Sequence, residues 1–84
     1  MPPARLIHVR LFAILREQAG ASTLTLDTAA ADAAALYAEL QSCHPGLVFP
    51  ATLLKVSVNE RYTELTTPLT SGDRVVFIPP VAGG

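Results

Sequence analysis

The spacing of apolar residues changes period twice along this chain, and that pattern constrains the fold more than any other feature. From Arg5 to Phe12 (RLIHVRLF) the residues alternate, with Ile7, Val9 and Leu11 on one side and Leu6, His8, Arg10 and Phe12 on the other. This predicts a strand whose core face is Ile7, Val9 and Leu11. From about Ala30 to His44 the period lengthens to that of a helix, with Ala33, Leu36, Leu40 and Cys43 at i, i+3, i+7 and i+10. From Leu54 to Asn59 and again from Arg74 to Ile78 the alternation returns.

The segments between these runs supply turns. Phe12 to Ala19 is built of good helix formers and stops at Gly20, and Ser22 to Asp27 alternates around Leu24 and Leu26. Strand, short helical turn and strand predict an N-terminal hairpin. Asp32 is expected in the first turn of the main helix, where its charge suits the helix dipole, with Pro45-Gly46 closing the other end. Asn59-Glu60-Arg61 reads as a turn, Tyr62 to Leu65 as a short return strand, and Ser71-Gly72-Asp73 as the turn into the last strand. Pro79 and Pro80 donate no ladder hydrogen bond and end that strand. The expected class is α+β, a mixed four- to five-stranded sheet packed on one main helix. The first and last strands are the most apolar and pair in parallel at the centre, which is the ubiquitin-like β-grasp. Residues 1–78 form the domain and 79–84 a C-terminal tail.

A chain of 84 residues holds one small core and leaves little room for a deep catalytic pocket. Function is therefore expected at a surface or an end. The net charge of -1, with no run of Lys or Arg, argues against nucleic acid as a partner. The uncharged stretch from Val75 is too short to span a bilayer, so no membrane partner is expected. No basic region followed by a long apolar segment opens the chain, and a cytoplasmic location is the expectation. The single Cys43 has no internal disulfide partner, which fits a reducing compartment. Its place on the apolar stripe predicts a buried structural thiol. His8 and His44 lack further ligands at metal spacing, so neither a metal nor a cofactor held by this chain is expected.

That leaves the end of the chain, Pro79-Pro80-Val81-Ala82-Gly83-Gly84. Glycines thread a channel only as wide as a backbone. Prolines keep the lead extended, and six residues at ~3.1 Å each reach roughly 20 Å beyond the fold. Composition alone leaves two readings, a working end or an inert mobile terminus. Beside the root of this tail, Phe12 lies opposite Ile7, Val9 and Leu11, and Ile78 lies opposite Val75 and Phe77. The two either meet a partner or cap the core at the sheet edge.

Three segments carry a family resemblance. They are the PPVAGG end, Leu11-Phe12-Ala13-Ile14-Leu15-Arg16-Glu17 with Gly20, and Pro68-Leu69-Thr70-Ser71-Gly72-Asp73-Arg74-Val75; Val58-Asn59 also fits. Together they resemble the small, sulfur-carrying subunits of molybdopterin synthase, of the MoaD/ThiS ubiquitin-like type. One departure is Ala31, where relatives often place a Ser or Thr helix cap.

The resemblance implies that Gly84, with Gly83 behind it, is the reacting end. A ubiquitin-activating-type adenylyltransferase using ATP would adenylate it, and a sulfurtransferase would convert it to a thiocarboxylate. The large catalytic subunit would then accept the tail in a heterotetramer, and sulfur would pass to a cyclic pyranopterin precursor. The chain itself would be non-catalytic. Phe12, Ile78, Pro79, Pro80, Val81 and Ala82 become the expected partner contacts. Three alternatives stand beside this. They are a carrier for thiazole or another sulfur pathway, a ubiquitin-like modifier joining Gly84 to a lysine, and an interaction module whose tail is inert.

Overall fold

The computed structural model describes residues 4–80. In chain order these form β1 (Arg5–Leu11), α1 (Ile14–Ala19), β2 (Thr23–Thr28), α2 (Ala33–Cys43), a 3-10 turn (Ala51–Leu53), β3 (Lys55–Val58), β4 (Arg61–Thr63) and β5 (Arg74–Ile78). The sheet order is β2-β1-β5-β3-β4. β1 and β5 pair in parallel at the centre, and every other pairing is antiparallel. Five strands on one main helix, with first and last strands central and parallel, make the ubiquitin-like β-grasp.

The alternation in β1 places Ile7, Val9 and Leu11 in the core, and Val75, Phe77 and Val56 join them from β5 and β3. α2 closes this layer with Ala33, Leu36, Tyr37 and Leu40, all fully buried. Tyr37 stacks at a tilt on Phe77, ring centroids 5.1 Å apart. Its hydroxyl donates to the Phe49 carbonyl at 2.8 Å, so the one polar atom it takes inward has a partner. Burial pushes the Tyr37 phenol above its ordinary pKa.

Two expectations about α2 need correction. The helix begins at Ala33, and Asp32 is its N-cap, accepting from the Ala35 N–H at 2.8 Å. Asp32 thus satisfies an orphan donor directly, and the cap sought at Ala31 lies one residue further on. Cys43 is exposed. It lies only about 20° round the helix from fully buried Leu36, but it is the last residue of the helix and no further turn extends the buried face past it. Tyr37, at i+4, takes the place on the buried face that the reading gave to Cys43.

The β3–β4 turn is a two-residue loop, Asn59-Glu60, both with positive φ (52° and 71°). Arg61 already pairs with Val58, so the return strand starts one residue earlier than expected and ends at Thr63. Asn59 suits the left-handed conformation and has a second task. Its side-chain N–H donates to Asp73 Oδ1 at 2.8 Å, and its Oδ1 accepts from the Arg74 N–H at 2.9 Å. Asp73 Oδ2 accepts from the Thr70 N–H at 2.7 Å, folding back across Gly72, whose φ is +93°. The Val-Asn and Gly-Asp segments, far apart in the chain, are one hydrogen-bonded unit that starts β5.

Candidate functional site

The site is built where β5 leaves the sheet. Lys55 pairs with Ile78 on one side, and on the other Leu11 pairs with Phe77, so Phe12 leaves β1 at the level of Ile78. Phe12 is 40% exposed and Ile78 half-buried. Both lie by central strands, not at a sheet edge as the simpler reading supposed. Their side of the sheet is the one α2 does not cover. Pro79 is buried and Pro80 exposed. With no N–H on either, the chain can donate no further ladder hydrogen bond to β3 beyond Ile78. The expected contacts Val81 and Ala82 and the expected reacting residues Gly83 and Gly84 lie outside the described residues.

Phe12 is held in place on both sides. The Arg10 guanidinium lies 5.1 Å from its ring centroid. Ala13, next in the chain, has φ 51° and ψ -125°, a conformation that a residue with a Cβ seldom adopts. The turn throws the chain from β1 into α1 and leaves the Phe12 ring outward.

Other exposed apolar side chains went unnoticed in the sequence. Ile14 is 37%, Leu53 57% and Val48 68% exposed. Leu54, just before Lys55, lines a groove together with Ile78. Val48 sits in a loop fixed by Gln18, whose Oε1 accepts from the Val48 and Phe49 N–H groups, each at 3.0 Å. The apolar Val48-Phe49-Pro50 run was the available signal, but nothing in it says which side chains turn outward.

A groove beside the tail root is lined by Thr52, Leu54, Lys55, Tyr62, Glu64 and Ile78 among others. It has the makings of a contact surface and holds no nucleophile–base pair. Among the described residues no three His, Cys, Asp or Glu side chains gather as metal ligands. No helix there is long and apolar enough to cross a membrane. The buried hydroxyl of Thr28 donates to Glu39 Oε1 at 2.6 Å and accepts from the Ala30 N–H, a structural pairing at the approach to α2.

Comparison with known proteins agrees with this architecture. The model of the ThiS family matches residues 9–84. The chain is 35% identical over 81 residues to the molybdopterin synthase sulfur carrier subunit of Escherichia coli (strain K12), covering 94% of this chain and all of that one. Its fold matches the crystal structure of SAMP1 from Haloferax volcanii with a TM-score of 0.79 at 30% identity, covering 94% of this chain and 99% of that one. It also matches a chain of the complex of subunits 1 and 2 of the molybdopterin-converting factor from Helicobacter pylori 26695. That match has a TM-score of 0.67 at 30% identity, with 94% of this chain and 99% of that one covered. A β-grasp domain whose central strand runs into a proline-led glycine end, matched by the family model over nearly its whole length, belongs to the ThiS family.

Proposed function

We propose that this chain is the sulfur-carrying small subunit of a molybdopterin synthase, and that Gly84 is its reacting residue. A carboxylate resists nucleophiles because it is anionic and has a poor leaving group. Attack of the Gly84 carboxylate on ATP, on a ubiquitin-activating-type partner, releases pyrophosphate and leaves an acyl adenylate. The persulfide of a sulfurtransferase then displaces AMP, giving an acyl disulfide, and attack of a thiol on its S–S bond releases the thiocarboxylate and leaves a disulfide. That sulfur is passed within the large subunit to the pyranopterin precursor. None of these steps asks a side chain of this protein to act as acid, base or nucleophile. Phe12, Ile78, Pro80, Val81 and Ala82 seat the tail in the partner, while Pro79, expected among these contacts, is buried in the domain and fixes where the tail leaves it.

The observation that carries this reading is the 35% identity to a molybdopterin synthase sulfur carrier over that protein's entire length. The Pro79-Pro80-Val81-Ala82-Gly83-Gly84 end adds the chemistry. The test is the intact mass of the chain co-expressed with its activating enzyme and sulfurtransferase. Replacement of one oxygen by sulfur at Gly84 is expected, together with rescue of a strain lacking its own molybdopterin carrier. An unchanged mass would remove every carrier reading, and sulfur loading without rescue would point to thiazole or another sulfur pathway. A second reading, a protein modifier, draws support from the likeness to the archaeal SAMP1 structure. Lysine-linked adducts through Gly84, with no sulfur gain, would favour it.

A further inference from the structure

The side of the sheet that faces away from α2 has an uneven charge pattern. On its two central strands the outward positions are Leu6, His8 and Arg10 on β1 and Arg74, Val76 and Ile78 on β5. His8 pairs in register with Arg74, and Arg10 with Val76. The central strands therefore present two guanidinium groups and an imidazole on this face and no carboxylate. The acids stand at the margins: Asp27 on the edge strand β2, Glu60 in the β3–β4 turn and Glu64 just past β4. A shallow depression gathers His8, Arg10, Arg74 and Val76, and Glu60 from the β3–β4 turn is the one carboxylate that also lines it. The chain as a whole is slightly acidic, so the positive character of these two strands is local.

We propose that this face is a docking surface for an acidic protein surface, whose carboxylates pair with Arg10 and Arg74 while the tail enters that same protein. The inference rests on the sulfur-carrier reading and adds to it the charge of the partner. Phe12, Val76 and Ile78 interleave with the cations, and a protein covering them must cover Arg10 and Arg74 as well. Covering a guanidinium without a carboxylate costs more than the apolar contact returns. Arg10 is already stacked on Phe12 and loses little freedom on pairing. Two arginines in this setting favour bidentate carboxylates over point contacts. The geometry also places the acids. Arg74 lies four residues behind Ile78, or roughly 13 Å back from the tail root. Arg10 lies at the level of Val76 and leans toward the root. Nucleic acid is the weaker occupant, because apolar residues and a rim of carboxylates surround the cations.

The test is a titration of the large subunit of the synthase with the full-length protein between about 50 and 500 mM salt. The variants are Arg10→Glu/Arg74→Glu, Arg10→Lys/Arg74→Lys and a chain lacking Gly84. Both arginines are exposed, so the substitutions are expected to leave the fold intact, and circular dichroism is the check that each variant is folded. The Glu pair is expected to lose about 30-fold or more in affinity and to flatten the salt dependence. The Lys pair is expected to keep the salt dependence with a smaller loss. Loss of Gly84 should leave the salt dependence unchanged. Wild-type affinity and salt slope in the Glu pair would overturn the docking surface and leave the carrier reading standing. A wild-type chain that gains sulfur but binds a DNA or RNA oligonucleotide through these arginines would also overturn it. A wild-type chain that neither gains sulfur nor binds the large subunit would remove the carrier reading, and this inference with it.

Discussion

The two ends of β5 are built on opposite principles. At its start the strand is tied down: Asp73 accepts from Asn59 and Thr70, and Arg74 exchanges hydrogen bonds with Asn59 through both its N–H and its carbonyl. The His8 N–H adds a bond to the Asp73 carbonyl. At its finish the strand meets two residues without an N–H, with Phe12 and Lys55 exposed at the level of Ile78. One end is closed by polar groups that find partners inside the domain. The other is left with apolar groups that find few. A strand so anchored can present its continuation at a fixed place without committing that continuation to the sheet.

Breaking the anchored end should have the largest effect on stability. Asp73→Ala removes two hydrogen bonds to a carboxylate, from the Asn59 amide and the Thr70 N–H, and is expected to cost about 2 kcal/mol in urea unfolding. Adding Asn59→Ala should cost less than the sum of the single changes, because both belong to one network. Additive losses would contradict the coupling described here.

A smaller effect separates the core beneath the strand from both its ends. Tyr37→Phe removes the bond to the Phe49 carbonyl and is expected to cost about 1 kcal/mol at neutral pH. The sign of its pH dependence follows from the raised phenol pKa. Below the ordinary value of 10.0 both folded and unfolded phenols are protonated and stability is constant. Above it the unfolded chain releases the proton first, so stability falls as pH rises toward the folded value. Unfolding curves at alkaline pH should show this extra fall in the wild type and lack it in Tyr37→Phe.

The free end should show the smallest effect on stability and a clear one on assembly. Pro80→Ala is expected to change unfolding free energy by less than about 0.5 kcal/mol, since the side chain is exposed. Its added chain entropy should weaken large-subunit binding by a few-fold. A large loss of stability would mean that the exit is part of the core after all.

Much of this division was legible in the sequence. Alternation in Arg5–Leu11 and Arg74–Ile78 marked the buried faces, and Pro79-Pro80 marked the end of β5. What was not legible depended on partners distant in the chain or on angles that drift. Asn59 and Asp73 are 14 residues apart, and neither residue type announces the other. Cys43 fits a stripe counted by threes and fours but is the last residue of α2, where the buried face ends, while Tyr37 in mid-helix is buried. Asp32 was read as a charge for the helix dipole when it is the cap itself. Of the candidate site, Phe12 and Ile78 were marked by alternation. Val48 and Leu53 were hidden in an apolar connection whose outward turns are set by Gln18 and the 3-10 turn.

The central claim is that Gly84 is what this protein delivers, while the domain holds and presents it. The direct measurement is molybdopterin formed by purified large subunit and precursor when the thiocarboxylated full-length chain is supplied in stoichiometric amount, with no other sulfur source. Product proportional to the thiocarboxylate consumed, and none from a folded chain lacking Gly84, is the predicted result. Product of equal yield from the chain lacking Gly84 would contradict the account.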